Sequence, residues 1–183
     1  MKGCCMKVVA LTGSPHRNGT SAILADAFCK GAEEEGHEVF RFDAAFEQVH
    51  PCIGCDRCGR GKAPCVFEDG MSRLYPKLIE ADVVAYITPL YYHHYSAQLK
   101  AVVDRFHGVD ELLVGTGKKS VLIVTAADRR EWATDGVVAA YRTDMRYLQW
   151  ESLGVLLARG CYHAEDILKT DYPSQAYALG RSL

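Results

Sequence analysis

Leu11-Thr12-Gly13-Ser14-Pro15-His16-Arg17-Asn18-Gly19-Thr20-Ser21 joins two segments of opposite character. Before it, Met6-Lys7-Val8-Val9-Ala10-Leu11 is a short apolar run with two β-branched residues, the pattern of a buried strand. After it, Ala22-Ile23-Leu24-Ala25-Asp26-Ala27-Phe28 has the pattern of a helix, with Thr20 or Ser21 in the N-cap position. A helix N-terminus offers unpaired backbone N–H groups and the positive end of the macrodipole. A glycine-bearing, hydroxyl-rich loop leading into one is therefore built to hold an anion, phosphate above all. An ordinary βα turn would explain the glycines and the cap. It explains less well the hydroxyls, His16 and Arg17 crowded into one turn.

Outward from this loop the pattern repeats. The helix runs from about Thr20 to Glu35 and is closed by Gly36, with Leu24, Ala27, Phe28 and Gly31 on one face and Glu33-Glu34-Glu35 read as a solvated end. His37–Asp43 alternates as an outer strand would. Ala44 to about Asp69 is a long irregular, cysteine-rich insertion, of a length that is usually functional or disordered. A helix over Met71–Glu80 follows, with Pro76 tolerable only near its start. Asp82–Thr88 and Val121–Thr125 read as buried parallel strands. Between them Ser96 caps a helix whose Leu99, Val102, Val103 and Phe106 form one apolar stripe. A helix from Asp135 to about Leu153, a fifth strand over Gly154–Ala158 and a short helix from Pro173 to Arg181 complete the chain. Five strands alternating with helices make an α/β fold, a doubly wound parallel sheet with right-handed crossovers, and residues 1–183 read as one domain. Ligands of such sheets sit beyond the carboxyl ends of the strands. The loops Gly13–Ser21, Pro89–Tyr95 and Ala126–Arg130 should meet there.

Composition sets bounds on the partners. The 183 residues carry 21 basic and 23 acidic side chains, so no general attraction to nucleic acid is implied. No apolar run approaches the roughly 20 residues that span a bilayer, and Met1–Met6 lacks the apolar core of a signal peptide. A cytoplasmic location is the expectation, and there the eight cysteines argue for metal or redox roles over disulfides. Cys29 and Cys161 read as small buried apolar residues. Cys4 and Cys5 are assigned nothing.

The loop is not a Walker motif, since five residues separate Gly13 from Gly19 and Thr20 follows where lysine belongs. Nor has it the glycine spacing that takes a dinucleotide pyrophosphate. Its hydroxyls suit a single dianionic phosphate, and the aromatic loop Pro89-Leu90-Tyr91-Tyr92 could face a flat ring. Phosphate at one loop and a ring at the next suggest flavin mononucleotide (FMN). The alternative for Tyr91–Tyr95 is a surface loop packed by its own aromatics, and adjacent His93 and His94 are weak evidence for metal.

These residues resemble a known family. Gly13–Ser21 looks like the phosphate loop of the NAD(P)H-dependent FMN reductases of flavodoxin-like fold. Ile87-Thr88-Pro89-Leu90-Tyr91, with Ser96–Lys100 and Asp104-Arg105, is similar to that family's flavin-ring segment and its helix. The resemblance extends through Cys52-Ile53-Gly54-Cys55 to Gly154–Leu157, nearly the whole chain. It implies a five-stranded sheet of order 2-1-3-4-5 and FMN phosphate held by Ser14, His16, Asn18, Thr20 and Ser21. Pro89, Leu90, Tyr91 and Tyr92 would lie against the isoalloxazine, with Ala126 from the third loop. Many members carry arginine where His16 stands, so phosphate affinity here would depend more on pH, or Arg17 would substitute.

Cys52-x2-Cys55-x2-Cys58-x6-Cys65 is the sharpest motif. Consecutive two-residue gaps match the compact spacing that holds cubane iron–sulfur clusters, whereas structural zinc more often uses two separated pairs. Gly54, Gly59 and Gly61 permit the tight turns, and Arg57, Arg60 and Lys62 would offset cluster charge. The spacing resembles that of the iron–sulfur flavoproteins, a branch of the same fold, implying a [4Fe–4S] cluster on these four cysteines. Many related reductases keep Cys-x-Gly-Cys without a cluster. The reading is thus an FMN oxidoreductase that takes hydride from NAD(P)H and passes electrons to a small-molecule or protein acceptor. The protein positions the flavin, so no catalytic acid or base is named. By resemblance it is a homodimer or higher homo-oligomer. The rivals are an FMN/iron–sulfur electron carrier without NAD(P)H turnover and a cysteine-based zinc or redox-sensing module.

Overall fold

A computed structural model describes residues 5–58 and 65–183. Its elements are β1 (Lys7–Thr12), α1 (Thr20–Glu34), β2 (Glu38–Asp43), α2 (Met71–Glu80), β3 (Val83–Pro89), α3 (Ala97–Asp104), β4 (Lys119–Ala126), α4 (Asp135–Leu148), β5 (Glu151–Arg159), α5 (Ala164–Leu168) and α6 (Tyr172–Arg181). The five strands form one parallel sheet in the order β2-β1-β3-β4-β5. The order reverses at β1, which has β2 on one side and β3 on the other, so the crevice for a ligand opens beyond the ends of β1 and β3.

Strand periodicity divides the core in two. Val9, Leu11, Val84, Tyr86, Leu122 and Val124 face one side, where Met71, Leu74 and Leu78 of α2, Leu99 and Val102 of α3 and Val137 and Tyr141 of α4 pack on them. Val8, Ala10, Val83, Ala85, Ile87, Val121 and Ile123 face the other side, against Leu24, Ala25 and Phe28 of α1, Ile167 of α5 and Ala176 of α6. The near-continuous apolar runs in β1, β3 and β4 follow from this burial on both faces.

On that second side α1 and α6 touch backbone to backbone. A Cβ at Gly31 would overlap the Tyr177 carbonyl, and one at Gly180 would overlap the Phe28 carbonyl. The acidic end of α1 is not idle surface, as the sequence suggested: Glu34 accepts a hydrogen bond from Tyr177 Oη, and Glu35 pairs with Arg181.

Three expectations need correction. Helix α4 stops at Leu148, because Gln149 adopts a left-handed backbone (φ +58°) and Trp150 N–H returns to the Met145 carbonyl. β5 accordingly starts at Glu151, before Gly154. Pro76 lies in the interior of α2 rather than near its start. Helix α5 carries no periodicity long enough to read, being five residues. Cys4, Gly59, Arg60, Gly61 and Lys62 lie outside the described residues.

Candidate functional site

The first loop is pinned before it reaches α1. Gly13 N–H donates to the Ile87 carbonyl (2.8 Å), and Ser96 Oγ donates to the Gly13 carbonyl (2.6 Å). Ser96 Oγ also accepts from Leu99 N–H (3.3 Å), so it caps α3 as expected and ties that helix to the loop. A Cβ on Gly13 would overlap Ser96 Oγ and Leu99 Cβ, which is why glycine stands there. Farther on, Ser14 Oγ accepts from His16 N–H (3.1 Å) and closes a turn.

Helix α1 begins differently from expectation. Gly19 is its N-cap and makes no side-chain capping bond, while Thr20 and Ser21 are its first two residues. Their hydroxyls turn back to the sheet and meet one atom, Thr125 Oγ1 at the end of β4, at 3.1 Å and 2.7 Å. The hydroxyls are drawn off to β4, so the first-turn N–H groups of α1 are left uncapped by side chains.

The second loop is a tight hairpin. Tyr91 and His94 exchange backbone hydrogen bonds (3.2 and 3.1 Å) around Tyr92 and His93, both with positive φ (+46° and +64°). This is the backbone sign pattern of a type I′ turn, usually made with Asn-Gly. Two side-chain-bearing residues there cost of order 1–3 kcal/mol each. His93 offsets that cost: its Nδ1 bonds the Ala133 carbonyl (2.9 Å) and its ring packs 5.3 Å from Trp132. Leu90 N–H donates to the Thr125 carbonyl (2.8 Å), joining this loop to β4.

The three loops converge on an open cleft of about 820 Å³ at the carboxyl edge of the sheet. Ser14, His16, Asn18, Thr20, Pro89, Leu90 and Tyr91 line it. Ser21 is buried behind, on Thr125, and Tyr92 projects fully into solvent. Ala126 is the buried last residue of β4, its carbonyl accepting from Cys161 N–H (2.9 Å), and its neighbour Ala127 forms the wall. Arg17 borders the cleft with its guanidinium laid over the Phe46 ring (3.7 Å). Sequence reasoning missed Thr125 and the whole segment Cys161–Ala164, which closes the cleft beyond β5. The readable signal for that segment was Asp166, which accepts from Tyr162 and His163 N–H (3.1 and 2.8 Å) and starts α5. Cys29 and Cys161 are buried, as their apolar contexts suggested. Burial pushes the Cys29 thiol up to about 12, so it stays protonated and inert.

A second pocket shares no lining residue with the cleft. Cys52, Cys55, Cys58 and Cys65 all line one pocket, with Ile53, Val66, Phe67, Tyr75 and Arg105. Positive φ at Gly54 and Asp56 (+62° and +54°) winds the chain between the first three thiols. Burial pushes the Cys58 thiol up, and the nearby Cys65, Cys52 and Cys55 sulfurs add to it. Among the described residues, no three cysteine, histidine or carboxylate groups stand in a metal-ligating arrangement.

The base of this loop is a buried ion pair. Arg105 and Asp69 side chains are each 2% exposed and pair in a fork, Nη1 to Oδ2 at 2.9 Å and Nη2 to Oδ1 at 3.2 Å. Nη1 also donates to the His50 carbonyl (2.9 Å), and Asp69 accepts from the His50 and Met71 N–H groups (both 3.0 Å). Burial alone would raise the Asp69 carboxyl, but the Arg105 fork and these two N–H donors outweigh it and hold the carboxyl below the usual range. Arg105 Nε is buried with no partner among the described residues.

Comparison with known proteins places the chain among relatives. The family described as NADPH-dependent FMN reductase matches residues 6–154. The chain belongs to that family. Among curated relatives, an iron-sulfur flavoprotein of Archaeoglobus fulgidus is 31% identical over 128 residues, 69% of this chain and 58% of the relative. One of Methanosarcina thermophila is 35% identical over 100 residues, 55% of this chain and 52% of the relative. The chain thus spans about half to three-fifths of the length of the curated relatives it matches. Among solved structures, an NAD(P)H:quinone oxidoreductase from Methanothermobacter marburgensis superposes with a TM-score of 0.75 at 21% identity, over 98% of this chain and 97% of that one. An azoreductase from Bacillus anthracis gives 0.71 at 18% identity, over 97% of this chain and 100% of that one. At these identities the structures establish the flavodoxin-like fold, and the family match places the chain among the NADPH-dependent FMN reductases. No helix among the described residues is long and apolar enough to cross a membrane.

Proposed function

We propose that the cleft binds FMN and that the protein, folded as one domain, moves electrons from NAD(P)H through the flavin to an acceptor. The observation that carries this reading is the α1 N-terminus. It opens on the cleft with its first-turn N–H groups uncapped by any side chain, opposite a wall of Pro89, Leu90 and Tyr91. That arrangement fits a phosphate at one end and a planar ring at the other. Bound FMN would supply the hydride and single-electron chemistry.

The chain's own residues bind and orient. Ser14, His16, Asn18 and Thr20, with the α1 N–H groups, would hold the phosphate. Thr125 fixes the angle of α1 through the Thr20 and Ser21 hydroxyls. The hairpin at Tyr91–His94 holds the ring wall rigid, because His93 is tied to Ala133.

The four cysteines have the donor type of a [4Fe–4S] cluster and line one pocket. Names among the relatives that contain "iron-sulfur" support this. A small molecule or a redox protein would take the electrons, and a homodimer is consistent with the family resemblance.

The visible spectrum of protein purified without oxygen tests the reading. Flavin absorption bands are expected, with a broad iron–sulfur shoulder. Absence of flavin bands even after FMN is added overturns it. Oxidation of NADH or NADPH no faster than with free FMN removes the reductase step.

A further inference from the structure

We infer that Tyr162 is a substrate-contacting residue of the cleft. Its ring is the face on which the planar ring of a redox substrate stacks, either the nicotinamide of the donor or an aromatic acceptor. The inference rests on the FMN reading above and concerns the wall that reading leaves unused.

The phosphate loop and Pro89–Tyr91 are the walls assigned to FMN. A further side, Cys161–Ala164, lines the same cleft and lies beyond the part of the chain matched by the family. A reductase must also hold a substrate beside its flavin. The cleft, at about 820 Å³, stands in the upper part of the ~300–1,000 Å³ range of small-molecule sites. The backbone of this side is fixed. Gly160 turns the chain off β5 with φ +74°, and Cys161, buried, donates its N–H to the Ala126 carbonyl (2.9 Å). The next two N–H groups, of Tyr162 and His163, both donate to Asp166 Oδ2 (3.1 and 2.8 Å). Ile167 then anchors α5 in the core.

On this fixed frame the Tyr162 side chain has no use within the fold. It is 74% exposed, and its hydroxyl bonds nothing among the described residues. Its one aromatic partner among them is the His163 ring, edge to face at 4.7 Å and 90°. A tyrosine exposed on a convex surface is ordinary. On a cleft wall, over a pinned backbone, it presents a large flat contact face with only two torsions to freeze. What such a face recognises is another flat π-system, stacked with an offset. Compact ions gain nothing from it.

The test uses the full chain loaded with FMN. Binding of 1,4-naphthoquinone to the oxidised protein, where no electron can pass, is read from the flavin absorption spectrum as a Kd. The KM for NADPH is measured with ferricyanide, a compact acceptor without a flat face, so that it reports the donor alone. Tyr162→Ala should raise the naphthoquinone Kd, the NADPH KM or both by about tenfold. Whichever constant moves identifies the substrate that stacks. Tyr162→Phe keeps the ring and should stay within about twofold of the unsubstituted protein. Leu168→Ala changes an exposed residue of α5 outside the cleft and controls for disturbance of that helix. No shift in either constant, or the same shift in Tyr162→Phe or Leu168→Ala, overturns the inference. So does an equal loss of FMN affinity in Tyr162→Ala, which would make the residue a flavin contact. If NADPH is not turned over, the naphthoquinone Kd alone decides. Failure of the unsubstituted protein to bind FMN is a different result, the failure of the flavin reading itself.

Discussion

The cleft and the cysteine pocket are built by opposite methods. Every wall of the cleft hangs from a strand end: Gly13 on β3, Leu90 on β4, Ala127 after β4, Cys161 after β5. Its geometry is inherited from the sheet. The cysteine pocket sits in a stretch whose only regular element among the described residues before α2 is a single turn at Ala44–Phe46, and it takes its shape from Arg105, which reaches across from the end of α3 to Asp69 and His50. One site is a property of the fold, and the other is an attachment fastened by side chains, Arg105 on Asp69 and His50 and Arg73 on Glu47. The difference teaches that the two should fail separately.

Breaking the fastening should have the largest effect. Arg105→Ala leaves the Asp69 carboxylate buried and unpaired, a loss of about 3–5 kcal/mol in urea unfolding. Alkylation of Cys58 should speed up while FMN affinity holds. A parallel fall in FMN affinity would mean the sites are not independent. Gly13→Ala attacks the other region by forcing a methyl group onto Ser96 and Leu99. A loss of about 1–3 kcal/mol is expected, with FMN bound about tenfold more weakly by fluorescence titration, about 1.4 kcal/mol, and cysteine reactivity unchanged. Thr125→Val removes the hydroxyl that bonds both Thr20 and Ser21. It should cost about 1 kcal/mol in stability and weaken FMN binding only modestly in the same titration.

Acid sharpens the contrast most gently. Asp69 ionises at lower pH folded than unfolded, so its contribution is complete above about pH 4, the unfolded value, and drains away as pH falls through the folded one. Pepsin near pH 3 should therefore cut around Phe67 while far-ultraviolet circular dichroism still reports the sheet. Simultaneous loss of both signals would contradict separate fastening.

The cleft was legible because strand–loop–helix patterning is local. Gly13, Gly19 and the apolar runs that flank them specify it within about twenty residues of chain. What escaped depends on distant partners. Thr20 and Ser21 have capping chemistry, yet Thr125, more than a hundred residues away, claims their hydroxyls and leaves Gly19 as the cap. Gln149 ends α4 in a left-handed conformation that a glycine would have advertised. Cys161–Ala164 reaches the cleft only because β5 ends beside β4. In the cysteine motif, spacing pointed to four thiols on one centre; all four line one pocket, but among the described residues no three of them stand in a metal-ligating arrangement. Arg105 was quoted for its motif alone, because its partners at positions 50 and 69 lie 55 and 36 residues away.

Helix α1 has unlike ends. Phe28 and Gly31 press directly on α6, which lies beyond the part of the chain matched by the family, while Thr20–Ala22 open the helix at the cleft. The consequence is one of time. Amides near Phe28–Ala32 should exchange with deuterium only when the whole protein opens, and those of the first turn on the faster schedule of loop breathing. A single rigid rod thus keeps two clocks, and bound ligand slows both, the slower one because it stabilises the whole fold.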